Sequence, residues 1–314
     1  MAAVCLYDGD EIGRYGFPGE HPFHQGRLDR FMDGVRFAGL DAWVRPREAR
    51  PATPAVLERF HTAAHIDRVR TACESDGGFL DGGDTPAWKG LYEAAATVVG
   101  AAVDGTERLM DGTCDRAFVP IGGLHHAGRD YASGFCVFND AGVAIATLLE
   151  EYGLERIAYV DIDAHHGDGI QYAFDDDPRV WTADIHEDGA HNFPGTGHRH
   201  ETGTGAGEGT KLNLPLQPGA GDAEFHAAWE VVEQHLERAR PQFVILQCGV
   251  DSLRGDPLAH LAFTPAAHNH AARRLADRAD ELGHGRLLAL GGGGYFDPNI
   301  AAGWRAVLEA LLGH

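Results

Sequence analysis

Asp161, Asp163, His165, His166 and Asp168 fall within one short run, Tyr159-Val-Asp-Ile-Asp-Ala-His-His-Gly-Asp-Gly169. At an extended strand end, Asp163 and His165 lie two apart and project to the same side. One carboxylate oxygen and one neutral imidazole suit a divalent first-row metal. Asp161, two residues earlier, can join that face or support it from behind. The preceding Ile157-Ala-Tyr-Val160 reads as a buried strand. Charged groups at the end of a buried strand are costly unless paired or bound to metal. A polar surface turn would need no such density of ligands. The tandem His125-His126 adds side chains that titrate near neutrality and commonly act as general acid and base.

Something must hold these groups together. Short apolar runs are expected as strands at Ala3–Leu6, Ala42–Val44, Arg116–Pro120, Ile157–Val160, Val180–Ile185, Phe243–Cys248 and Leu287–Leu290. Helical patterns cover Gly26–Arg36, Thr62–Glu74, Leu91–Leu109, Ala141–Tyr152, Gly169–Phe174, Glu224–Glu237, Pro265–Glu281 and Pro298–Leu312. The alternation predicts one α/β domain over residues 1–314, a parallel sheet with helices on both faces. Ligands of such sheets sit beyond the carboxyl ends of the strands. Polar clusters do follow the strands: His125-His126, Asp161 to Asp168, Asp251, and Gly291-Gly-Gly-Gly-Tyr295. Residues 187–209 have little periodicity and read as a rim loop or lid. Within them Gly203-Thr-Gly-Ala-Gly-Glu-Gly209 imitates a phosphate loop, but it lacks the strand-to-helix context and a following Lys-Ser/Thr.

Composition narrows the class. Hydrophobic residues make up 44%, enough for a sizeable core, and no stretch reaches the ~20 apolar residues of a membrane span. The opening Met-Ala-Ala-Val-Cys-Leu-Tyr-Asp has neither a basic region nor a cleavable apolar core. Five scattered cysteines without CxxC spacing predict reduced thiols in a cytoplasmic protein. Net charge is −21, and only Lys89 and Lys211 are lysine among 26 basic residues. That balance disfavours nucleic acid and favours cationic substrates, although an acidic solvated surface with no partner explains it as simply.

The motifs together resemble the zinc-dependent histone deacetylase superfamily. They are Gly122-Gly-Leu-His-His-Ala127, Ser133-Gly-Phe-Cys-Val-Phe-Asn-Asp140, Asp161-Ile-Asp-Ala-His-His-Gly-Asp-Gly169, Phe193-Pro-Gly-Thr-Gly197, Gly249-Val-Asp-Ser-Leu-Arg-Gly-Asp-Pro257 and Gly291-Gly-Gly-Gly-Tyr295, in the family's order. The opening Tyr15-Gly-Phe-Pro-Gly-Glu-His-Pro22 looks most like the acetoin-utilisation branch. The resemblance implies the arginase–deacetylase fold and a protein lysine deacetylase that releases acetate. It assigns Asp163, His165 and Asp251 to zinc, with iron(II) also suited to such a site. It makes His126 the general base and later acid, His125 an electrostatic support, and Asp161 and Asp168 their respective partners. Tyr295 would donate to the oxyanion. Phe135 and Phe193 would wall an acyl-lysine tunnel, with Gly134 and Gly293 lining it by their carbonyls. Asp84 would hold the substrate backbone at the rim, Leu258 would stand at the mouth, and Arg27 would lie near a product channel. A structural potassium or sodium ion would use the carbonyls of Asp161, Asp163, His165 and Asp184, with Ile185 beside it. Asp184 stands where many relatives carry serine, which implies either tighter potassium binding or a carboxylate bonded elsewhere. A second ion would fall at Phe174, Asp177, Val180 and Thr210.

Rival readings remain. Arginases share the fold but need an aspartate where Gly167 stands. Acetylpolyamine amidohydrolases share metal and mechanism, but their distal ammonium favours a carboxylate at the tunnel mouth, where this chain has Leu258. A non-enzymatic acyl-lysine binder would need a broken site or one occluded by residues 187–209. The sequence leaves the oligomeric state open.

Overall fold

The computed structural model describes residues 2–75 and 77–314. Eight strands form one sheet, every pair parallel: β1 (Val4–Tyr7), β2 (Val44–Arg47), β3 (Arg116–Val119), β4 (Ile157–Asp161), β5 (Val180–Glu187), β6 (Lys211–Leu216), β7 (Phe243–Gln247) and β8 (Leu287–Leu290). Their spatial order is β2-β1-β3-β8-β7-β4-β5-β6. The strands β3, β4, β7 and β8 are buried along their whole length, as strands covered on both faces must be.

Ten helices are described: α1 (Asp10–Gly13), α2 (Arg27–Phe37), α3 (Pro54–Leu57), α4 (Ala63–Glu74), α5 (Leu91–Met110), α6 (Asp140–Glu150), α7 (Asp168–Ala173), α8 (Asp222–Ala239), α9 (Pro265–Glu281) and α10 (Asp297–Leu312). The helices α2, α10, α9 and α8 pack side by side in that order, while α5 packs with α6 and lies on β3 and β8. Several of the starts carry explicit signals. Asn139 caps α6 through Gly142 N, Thr62 caps α4 through His65 N, and Thr264 with Pro265 opens α9. None of these helices is long and apolar enough to cross a membrane.

Three expectations change. The strand β6 was not among the expected ones. Its alternation is interrupted by Pro215, which an edge strand tolerates and a central strand does not. Cys5 in β1 and Cys114 beside β3 are joined as a disulfide with Cα atoms 6.0 Å apart, so Cys73, Cys136 and Cys248 are the free thiols, not all five. The predicted strand at Ala42–Val44 is also displaced: residues 41–43 form a 3-10 turn and the strand starts at Val44.

Helix α5 lies so close to the segment before α3 that a Cβ on Gly100 would collide with the Arg50 carbonyl. Gly100→Ala should gain ~1 kcal/mol of helix propensity and lose up to ~3 kcal/mol to overpacking against rigid backbone. The expected net result is a lower urea midpoint than wild type.

Candidate metal centre and active site

The central strands β3, β8, β7, β4 and β5 lie side by side, so everything that follows their carboxyl ends meets on one rim. After β4 come Asp163 and His165; after β7 comes Asp251; after β3 come His125 and His126; after β8 comes the glycine run that ends at Tyr295.

Asp163, His165 and Asp251 are buried, and their ligand atoms lie within 4.8 Å of one another. Among the described residues no other His, Cys, Asp or Glu group meets that geometry. The Nδ1 atom of His165 is 3.0 Å from Asp163 Oδ1 and 3.1 Å from Asp251 Oδ2. The outer oxygens are already engaged. Asp163 Oδ2 accepts from Gln247 Nε2 at 2.9 Å and from Gly293 N at 2.8 Å, and Asp251 Oδ1 accepts from Ala164 N at 2.8 Å. Two buried carboxylates thus turn their inner oxygens toward one imidazole nitrogen, a donor set suited to a divalent cation with coordination positions left open. Glycine at 249 and 293 has a specific cause here: a Cβ at either would run into the carboxylate of Asp163 or Asp251, respectively.

The tandem histidines face the same space. His125 Nδ1 is 2.8 Å from Asp161 Oδ2, and His126 Nδ1 is 2.7 Å from Asp168 Oδ1. With each Nδ1 turned to a carboxylate, the two Nε2 atoms meet at 3.1 Å. Burial alone would lower both rings. In His125 the carboxylates of Asp161 and Asp163 outweigh it and raise the ring above its ordinary value. In His126 burial and the neighbouring His125 charge prevail over Asp168 and hold the ring down at about 4. One imidazole therefore favours its charged form and the other its neutral form, the split that divides an electrostatic support from a proton acceptor. A cation on Asp163 would weaken that carboxylate's share of the effect on His125. Asp161 is fixed in turn by Tyr159 OH at 2.6 Å, and Asp140 takes the backbone N–H groups of Gly123 and Leu124, which anchors the histidine segment.

Tyr295 reaches into the same space. Its backbone N–H is held by Asp256 Oδ2 at 2.8 Å, and Asp256 Oδ1 also takes Leu258 N at 2.9 Å, so one carboxylate sets both the tyrosine and the mouth residue. Burial, then the charges of Asp251 and Asp163, hold the Tyr295 phenol well above its ordinary range, so it remains a donor. Gly292 and Gly294 adopt φ of +76° and +134°, which a side-chain-bearing residue resists.

A cavity of about 220 Å³ leads from the surface to this point, lined by Asp84, His126, Gly134, Phe135, His165, Asn192, Phe193, Leu258 and Tyr295. Phe193 stands edge-to-face with His126 at 5.0 Å, and Phe135 with Tyr295 at 5.8 Å. Phe135 itself has φ +67°, a conformation held by Tyr15 OH on its carbonyl and Thr85 Oγ1 on its N–H. Deeper in, a smaller chamber is bounded by Phe23, Leu124, Cys136 and Gly292 together with His125, Asp163 and Gly293. Arg27 lies buried behind it, donating to the carbonyls of Gly292 and Gly294.

The structure brings together all the residues expected to act on substrate: His125, His126, Tyr295, Asp84, Gly134, Phe135, Phe193, Leu258 and Gly293. Asp184 and Ile185 lie on β5 behind them, with Asp184 paired in register to Asp161. The Asp184 carboxylate is bonded elsewhere, one oxygen to His186 Nδ1 at 2.6 Å and the other to Gly167 N at 2.9 Å. Sequence reasoning missed Gln247, Asp256, Asp140 and Asn192. Asp256 and Asp140 lie inside quoted motifs, Asp256 directly after the turn glycine Gly255 and Asp140 at the start of α6. Gln247, at the end of an apolar strand, carried no signal of its own. His21 braces the rim: Nδ1 accepts from Phe23 N and Nε2 donates to the Asp84 carbonyl at 3.1 Å.

The fold and this candidate site are those of the histone deacetylase family. The histone deacetylase domain family matches residues 21–311, and the chain belongs to that family. It is 37% identical to "Histone deacetylase 19" of Arabidopsis thaliana over 319 residues, covering 99% of this chain and 62% of that protein. It is 35% identical to "Histone deacetylase RPD3" of Saccharomyces cerevisiae, covering 95% of this chain and 69% of that one. It is 37% identical to "Acetoin utilization protein AcuC" of Bacillus subtilis, covering 90% of this chain and 74% of that one. The chain thus spans less than two thirds of the plant relative. The crystal structure of the HDA15 HD domain superposes with a TM-score of 0.92 at 31% identity, covering all of this chain and 89% of that one. The arginase–deacetylase fold and the acetoin-utilisation likeness are both confirmed.

Removing a ligand's support should be measurable without any substrate. Gln247→Ala should weaken divalent-metal affinity by about 10–100-fold in chelator competition, while Asp163→Asn should abolish stoichiometric metal in elemental analysis.

Proposed function

We propose that this protein is a zinc-dependent amidohydrolase that removes acetyl groups from Nε-acetyl-lysine in proteins or peptides. The observation that carries it is the narrow, aromatic-walled cavity that ends on the Asp163–His165–Asp251 group, with the histidine pair and Tyr295 around the same point. Such a shape admits a linear aliphatic side chain and presents its terminal amide to those groups. Zinc, when bound, polarises the amide carbonyl and lowers the pKa of water. The remaining work falls to this chain's own residues. His126, with Nδ1 held by Asp168, takes a proton from the attacking water at Nε2. It then delivers that proton to the nitrogen as the C–N bond breaks, giving acetate and a free amine. Tyr295 donates its hydroxyl proton in a hydrogen bond to the carbonyl oxygen as charge develops there. His125 holds positive charge against the same site. Phe135 and Phe193 flank the side-chain methylenes, and Asp84 is exposed at the rim to meet the substrate backbone.

Within this reading, a potassium or sodium ion sits on the backbone carbonyls of Asp161, Asp163, His165 and Asp184, beside Ile185. The pairing of Asp161 with Asp184 across β4 and β5, which brings their backbones side by side, supports it. Two observations weigh against the rivals. Gly167 leaves no room for the second-metal aspartate of an arginase, since even a Cβ there would come within 2.8 Å of Asp161 Oδ2. Leu258 at the mouth offers no charge to a distal ammonium, which favours acyl-lysine over acetylpolyamine.

Zinc-loaded protein should hydrolyse an acetyl-lysine peptide with a higher kcat/KM than N-acetylputrescine. Tyr295→Phe should lower kcat by about 10²–10³ with little change in KM. Leu258→Glu should shift the ratio of the two substrates toward the polyamine. A wild-type preference for N-acetylputrescine would overturn the lysine assignment.

A further inference from the structure

Lys211 opens the edge strand β6 and is almost fully buried, at 2% exposure. Its Nζ lies 2.7 Å from the Val180 carbonyl, 3.2 Å from the Asp177 carbonyl and 2.6 Å from Thr210 Oγ1. The Thr210 hydroxyl proton is already committed to the Gly207 carbonyl at 2.7 Å, so toward Nζ that oxygen can only accept. All three neighbours are therefore acceptors. A neutral amine, with two N–H groups and a lone pair, would turn that lone pair on an oxygen, whereas an ammonium satisfies all three. Asp177, Val180 and Thr210 are three of the four residues that the family resemblance assigns to a second monovalent cation. Three carbonyls of that set also receive backbone donors, Phe174 from Asp177 N, Thr210 from Thr182 N and Asp177 from Val180 N at 3.3 Å. An exchangeable ion does not fit where Nζ stands.

We propose that the Lys211 ammonium is a tethered cation that takes the place of this second monovalent ion. The chain thus carries at this point a covalently supplied charge and no exchangeable potassium or sodium. The head group matters. Of 26 basic residues only Lys89 and Lys211 are lysine. A guanidinium, planar with five donors, cannot be satisfied by three oxygens that converge on one point, whereas a compact ammonium can. Burial lowers the Lys211 ammonium to about 8 and the acidic turn Asp175-Asp-Asp177 opposes that shift, so the charged form holds at neutral pH. The tether also has a place in the fold. It binds the turn after α7 to the start of β6, at the end of the loop that carries Phe193, and Asp175 O in the same turn takes Thr204 N from that loop.

The test compares wild type, Lys211→Ala and the near-isosteric Lys211→Met in potassium chloride and in choline chloride of equal ionic strength. Any dependence of wild type on potassium reports the first ion site and is subtracted. Lys211→Ala should be less stable than wild type in choline and should gain an additional ~2–4 °C in Tm at tenfold-saturating potassium. Lys211→Met, which fills the space without charge, should lose stability and gain nothing from the ion. Rubidium-soaked crystals should show an anomalous peak at the Asp177–Val180 carbonyls in Lys211→Ala and none there in wild type. A rubidium peak at that point in wild type would overturn the proposal, and it needs no variant to fold. So would a Lys211→Ala protein whose stability and anomalous map are both indifferent to the ion.

Discussion

Asp140, Asp161, Asp163, Asp168, Asp184 and Asp251 are all buried at one edge of the sheet. An isolated buried carboxylate costs several kcal/mol, so everything around this edge serves to offset that cost. Four of them are compensated within the chain. Asp140 takes two backbone N–H groups, Asp161 takes Tyr159 and His125, Asp168 takes His126, and Asp184 takes Gly167 N and His186. Asp163 and Asp251 are different. Their outer oxygens are satisfied, while their inner ones share a single imidazole nitrogen. The site is built to remain short of positive charge at one point, and that is the point at which the cavity ends.

The same constraint explains why so much of the rim is glycine. Carboxylates held by backbone N–H groups require the backbone to come to them. At Gly249 and Gly293 the chain passes too close to Asp163 and Asp251 for any side chain. At Gly292 and Gly294 it must also turn through positive φ to bring Tyr295 back over Asp163, His165 and Asp251. Preorganisation here is a property of the loops as much as of the reactive groups. The residues that do the holding, Gln247, Asp256 and Tyr15, never face the cavity.

Most of this was legible in the chain. The alternation of apolar runs and helical periods located six of the eight strands and touched β2 only at Val44, because parallel strands buried on both faces are continuous apolar runs while β2 is a half-exposed edge. The polar clusters after β3, β4, β7 and β8 located the site, because that edge of a parallel sheet is where such groups can face one another. What escaped notice was whatever depends on contacts distant in sequence. Gln247 supports Asp163 across 84 residues, and nothing in Phe-Val-Ile-Leu-Gln marks it. The strand β6 gains its identity from pairing with β5, against the local preference of Pro215. The Cys5–Cys114 link spans 109 residues and joins positions whose spacing alone implied free thiols. Asp184 was read as a choice between an ion and another partner; His186, two residues on, is that partner.

The position of Lys211 bears on how this protein stands toward the modification its family removes. Acyl groups reach lysines non-enzymatically wherever an unprotonated ε-amine meets a reactive acyl donor. With Lys211 shut inside a cradle of oxygens, the ε-amino chemistry of the surface reduces to Lys89, which is exposed. The abundant arginines keep the positive charge needed for ion pairs without offering an acylatable nitrogen. Among the described residues, ε-amine acylation is therefore confined to Lys89, and the rim of the cavity offers no lysine.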